Sequence, residues 1–160
     1  MDNFLSILSE VWMNGLLGIS MTKILISFAI LLLSFLLRGF LVTVVISSIE
    51  RLAKSTESTL DDEILKAMKK PLGYVPITIG IYVVTMILPL EGVAGEISSN
   101  IVKALIIFTI FSALANSIHP VFTAMSSTSW LTESMQIWLE RSSRVIIWII
   151  GIAIILELFG

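Results

Sequence analysis

No cysteine occurs in the chain, which removes disulfide scaffolds, thiolate chemistry and iron–sulfur ligation. The single histidine, His119, then leaves no histidine–cysteine set of the kind that holds zinc or iron. Charge is scarce as well. Only 14% of the 160 residues are charged, against roughly a quarter in an average soluble domain. A soluble chain of this length would need more polar surface to cover its core. The net charge of −2 gives no basic field for nucleic acid. The N-terminus, "MDNFLSILSEVW", is acidic and lacks the basic region of a cleaved signal peptide. No nucleophile–base pair, metal-ligand cluster or phosphate loop stands out, so the sequence argues against an enzyme and calls for no cofactor.

What the chain has in abundance is Leu, Ile, Val and Phe in long runs, with 56% hydrophobic residues overall. That composition is the mark of an integral membrane protein. The fold expected is an all-α membrane protein: an N-terminal amphipathic helix, then four transmembrane helices with a short cytosolic amphipathic linker helix. In "FLSILSEVWMNGLLGI", Phe4 to Ile19, the apolar spacing suits a helix lying at the membrane surface with Trp12 at headgroup level. Asn14-Gly15 then turns the chain.

A span needs about 20 apolar residues. The first lies within Ile24 to Ile49, and Gly18 to Ile49 could run as one helix of 32 residues, roughly 48 Å long. The second is Leu72 to Leu90, bounded by Pro71 and Pro89 and bent at Pro76. A short acidic loop, "EGVAGEISSN", leads to the third, Ile101 to Ile118, closed by His119-Pro120. A polar connector, Val121 to Ser134, precedes a last helix starting near Met135. Its uncharged core, Val145 to Leu156, has only 12 residues, and context makes it the fourth span. Three parts follow: 1–20 interfacial, 21–100 a two-span pair with the linker helix at 58–71, and 101–160 a helical hairpin.

Orientation is read from lysine and arginine in short loops. Arg51, Lys54, Lys66, Lys69, Lys70, Arg141 and Arg144 fall on one side, seven of the ten basic residues, whereas 91–100 and 1–22 carry none. That side should be the cytosol, with both termini outside. Lys23 and Lys103, at the outer ends, can snorkel.

The stretch "TLDDEILKAMKKPL" is the cytosolic connector on this map. Ser58 or Thr59 can cap it, and Thr59-x-x-Asp62 resembles a capping box. Asp61, Asp62 and Glu63 fill the positive end of the helix dipole, and Lys66, Lys69 and Lys70 the negative end. Asp62 and Lys66 are four apart in the favourable order. Leu60, Ile64, Leu65, Ala67, Met68 and Leu72 form an arc that can lie on lipid or protein, and Pro71 ends the element. Asp61 projects into that arc. It serves either its own helix N-terminus or an ion pair with Arg141 or Arg144.

"STLDDEILKAMKKPL" resembles the cytosolic linker of multi-span members of the small-conductance mechanosensitive (MscS-like) channel family, a T-x-LDD pattern ending in Pro-Leu. "RSSRVIIWIIGIAIILELFG" is similar to that family's helix leading to the pore helix. The resemblance covers about Arg51 to Gly160. It implies the membrane-embedded, tension-sensing part of an osmotic-shock release channel in the bacterial inner membrane, homo-heptameric when full-length. In that family a Gly/Ala-rich pore helix comes next, where this sequence stops, so the chain alone should not conduct.

Arg141 and Arg144, three apart on one face, are candidates to hold lipid phosphates at the inner leaflet; the alternative is an orienting flank with Glu140 paired to Arg144. Arg38 is a snorkelling residue first and a lipid contact second. Thr109, Ser112 and Asn116 can line a helix contact or bond carbonyls of their own helix. Trp130, Trp138 and Trp148 read as interfacial anchors or packing. A competing class is a four-span scaffold or accessory subunit that moves no ions. A small transporter is the weaker third, because charges sit near span ends and no repeat is evident.

Overall fold

The computed structural model describes residues 19–53, 59–125 and 132–160. The expected surface helix of residues 4–19, its Asn14-Gly15 turn and Trp130 lie outside the described residues, apart from Ile19. Five helices follow in order: α1 (Met21–Ala53), α2 (Thr59–Leu72), α3 (Val75–Ile87), α4 (Gly92–Met125) and α5 (Glu133–Glu157). Among the described residues three stretches are long and apolar enough to cross a membrane: Met21–Ile49, Glu63–Ile87 and Gly92–Ala124. The chain is a helical protein with candidate membrane spans.

Burial is inverted relative to a soluble fold. Leu36 and Met86 are each 67% exposed, and most large apolar side chains of α1 are exposed too. Three hydroxyl residues, Ser27, Thr78 and Ser112, are among the few that are buried. Helices in lipid gain nothing by hiding apolar surface from a solvent that is itself apolar, so they meet through small and hydroxyl residues that let backbones approach. The bundle follows that rule. α1 packs along α3, α2 along α4, and α4 along both α3 and α5.

Several element boundaries differ from those the sequence suggests. Pro71 does not end α2; it sits fully buried in the last turn, and the helix closes one residue later, where Gly73 N–H donates to the carbonyls of Lys69 and Lys70. The turn Gly73-Tyr74 is so brief that the second apolar stretch begins at Glu63, inside the linker helix. The α3 segment alone has 13 residues, about 20 Å, which is too short to span. The acidic segment after it is helix rather than loop, from Gly92 onward. His119-Pro120 does not close α4 either, and the helix carries through to Met125. Proline removes one donor, a loss membrane helices tolerate where neighbouring helices and hydroxyls re-satisfy the backbone. Near Pro120, whose missing N–H would have met the Asn116 carbonyl, the Ser117 and Thr123 hydroxyls bond other carbonyls of the helix, those of Ala113 and His119, at 2.8 and 3.0 Å.

Candidate functional site

α4 and α5 form an antiparallel hairpin joined along its whole length. At one end Asn100 Nδ2 donates to the Leu158 carbonyl at 2.7 Å, and Lys103 Nζ donates to Asn100 Oδ1 at 3.3 Å. Leu158 is the C-cap of α5, so a side chain from α4 satisfies one of the carbonyls every helix end leaves unpaired. At mid-length Phe111 rests on Gly151. At the other end Gln136 Nε2 donates to the Phe122 carbonyl at 2.9 Å. Close by, Glu140 is held from both sides: Arg144 donates to Oε1 at 2.8 Å, and His119 Nδ1 faces Oε2 at 3.1 Å. We expect Asn100→Leu to loosen the first clamp and to cost about 0.6 kcal/mol, the average for interhelical bonds in membranes, and at most about 1.7 kcal/mol. Unfolding free energy in mixed micelles, compared with Asn100→Gln, is the check.

The linker helix meets this hairpin at the end bearing Glu140. Leu65 is buried there, while Glu63, Lys66, Lys69 and Lys70 are exposed. The apolar arc of α2 therefore lies on α4, a choice the sequence leaves open. An aromatic chain continues the contact: the ring of Tyr74, from the α2–α3 turn, meets Phe108 edge-on at 5.2 Å, and Phe108 meets Trp148 at 5.4 Å. Such pairs are worth about 0.5–1.5 kcal/mol beyond area burial.

Concavities open beside these contacts. A groove of about 750 Å³ runs between α3 and α4, walled by Ile79, Tyr82, Ile106 and Ile110, with Lys103 among its lining residues. A cleft of about 600 Å³ opens where α2, α4 and α5 converge, lined by Glu63, Lys66, Asn116, His119, Arg144 and Trp148 among others.

Of the residues singled out in the sequence, Lys66 and Arg144 share this cleft. Arg141 is exposed and lines neither concavity. Arg38 is exposed on α1, its guanidinium 5.4 Å from the Phe35 ring of its own helix. Thr59 opens α2, and the side chains of Asp61 and Asp62, with the pairs expected for them, lie outside the described residues. Thr109 and Asn116 bond carbonyls of their own helix, Leu105 and Ser112, each at 2.7 Å. His119 and Asn116 become cleft residues only through tertiary structure, and a lone histidine before a proline carries no signal of it. Among the described residues no group of acidic or histidine side chains could hold a metal ion. Compared with family models, curated proteins and solved structures, this chain has no match.

Proposed function

We propose that this chain is the membrane-embedded, tension-responsive part of a channel of the MscS-like kind, seated in a bacterial cytoplasmic membrane with its N-terminus outside. The observation that carries the reading is the division of the bundle into two parts. The α4–α5 hairpin is tied at both ends and at its middle, whereas α3 and α4 leave the 750 Å³ apolar groove between them. A lipid chain filling that groove stabilises one separation of the parts, and tension that withdraws lipid favours another. A ligand shifts such an equilibrium only by its differential affinity for the two states.

In this reading α5 is a fourth span. Its antiparallel contacts with α4, from Asn100–Leu158 to Phe122–Gln136, put its short uncharged core beside a helix long enough to cross. The end where α2 meets the hairpin carries Arg51, Lys66, Lys69, Lys70, Arg141 and Arg144 and faces the cytosol. The chain works by packing and lipid contact, without catalysis, and assembles with copies of itself as the linker and hairpin resemblances imply.

The absence of native cysteine makes the test direct. Spin labels at Phe35→Cys on α1 and Ile149→Cys on α5, both exposed positions, report the separation of the two parts. Extracting lipid from one leaflet of proteoliposomes with cyclodextrin should displace the distance distribution. An unchanged distribution would sink the tension reading and leave a static scaffold.

A further inference from the structure

The cleft between α2, α4 and α5 holds two cations whose hydrogen-bonding capacity is not used up. Arg144 gives one terminal nitrogen to Glu140, but its Nε is buried with no partner. A buried donor left unpaired is costly, more so on a charged group, and a guanidinium presents a planar fork suited to two oxygens of one phosphate. Lys66, across the cleft on α2, has no ion pair or hydrogen bond among the described residues. Glu63, one turn before it on α2, likewise has no ion pair or hydrogen bond among the described residues. Glu140 is committed to His119 and Arg144. The Asn116 amide is bonded to Ser112.

We propose that this cleft binds the phosphodiester of a phospholipid headgroup, with Lys66 and Arg144 as its counter-ions. The inference rests on the membrane reading of the helices and not on the channel reading. Lys66 and Arg144 balance Glu63 and the Glu140 paired to Arg144, so these four groups carry no net charge, which suits a headgroup that brings a cation with its phosphodiester. Glu63 adds a carboxylate that a headgroup ammonium can meet, so the site should prefer a zwitterionic phosphoethanolamine headgroup to phosphoglycerol. Exposed apolar side chains on the outer faces of α4 and α5, Leu114 and Val145 among them, offer the acyl chains a lipid-like surface. Because the cations come from different helices, a lipid seated here joins the linker to the hairpin.

The test is native mass spectrometry of the full chain, delipidated in detergent and titrated with phosphatidylethanolamine, phosphatidylglycerol or inorganic phosphate. Wild type should retain phosphatidylethanolamine, and Lys66→Gln should weaken that binding about tenfold, the factor equivalent to about 1.4 kcal/mol. Glu63→Gln should erase the preference over phosphatidylglycerol. Lys23→Gln, remote from the cleft, should change nothing. Lys66 is exposed and has no hydrogen bond or ion pair among the described residues, so its variant keeps the test valid even where Arg144→Gln, which also breaks the Glu140 pair, fails to fold. Equal phosphatidylethanolamine retention by Lys66→Gln and wild type would overturn the proposal. So would inorganic phosphate displacing the lipid at low millimolar concentration, which would make free phosphate the ligand. Loss of lipid binding leaves the spin-label distances under lipid extraction as a separate readout, so the failures of the two readings are distinguishable.

Discussion

Replacing Gly151 by leucine should separate the α4–α5 hairpin at its midpoint and cost about 1–3 kcal/mol, the usual range for overpacking. A Cβ built at Gly151 would lie 2.8 Å from Phe111 Cγ and 3.0 Å from Phe111 Cβ. The first contact could be eased by a change of χ1, which swings Cγ and the ring away. The second cannot, because Cβ moves only with the backbone of α4. Even alanine therefore pushes the helices apart, and leucine does so over several side-chain contacts at once. Separation has no compensation in lipid, since close van der Waals approach is what holds such helices together. The check is the free energy of SDS-driven unfolding in mixed micelles, followed by circular dichroism. Phe111→Ala placed in the Gly151→Leu background removes Cγ and the ring but keeps Cβ, so it should recover part of the loss. Strict additivity of the two changes would show that the Gly151–Phe111 contact is not the cause.

Gly80→Leu should have a comparable effect on the other pair, α1 against α3. A Cβ at Gly80 would lie 2.7 Å from Ser34 Cβ and closer still to its hydroxyl, with the Ile30 carbonyl at 3.8 Å beyond. The hydroxyl can rotate away, but Ser34 Cβ cannot, so the two backbones must part. Ser34→Gly should restore most of the stability lost by Gly80→Ala, with a coupling energy above about 0.5 kcal/mol. A Gly80→Ala variant that unfolds like wild type would mean that α1 and α3 do not approach this closely in the membrane. The two glycine contacts sit in different helix pairs, so their effects should add.

The candidate site was only partly legible in the sequence. The i,i+4 spacing of Glu140 and Arg144 is a local property of one helix, and it returns as a 2.8 Å ion pair. Lys66 is equally visible as a charge near the end of a charged helix. Nothing local says that Lys66 and Arg144, 78 positions apart, line one cleft, because that depends on how α2 and α5 both lie against α4. His119 illustrates the limit more sharply. Before a proline it reads as a helix end, yet α4 continues through it and the imidazole reaches Glu140 on another helix. The helix-stop reading of proline assumes water outside the helix, ready to take up the freed backbone groups. In a packed apolar setting the contacts of α4 with its neighbours hold the helix together through the proline.

Composition and the long apolar runs determined, with no structure needed, that the chain is helical and suited to a membrane, because only helices or closed barrels satisfy every backbone group there. They also determined which residues can be charged at which ends, since charge is too costly to place mid-span. Tertiary structure decided which of two apolar surfaces, lipid or protein, each helix face meets. Hydropathy cannot, because lipid tails and leucine side chains are alike to it. The discriminating features are small ones: a glycine under a phenylalanine, a serine under a glycine, an asparagine reaching a distant carbonyl. Their meaning lies in what stands opposite, and only the packed helices supply that.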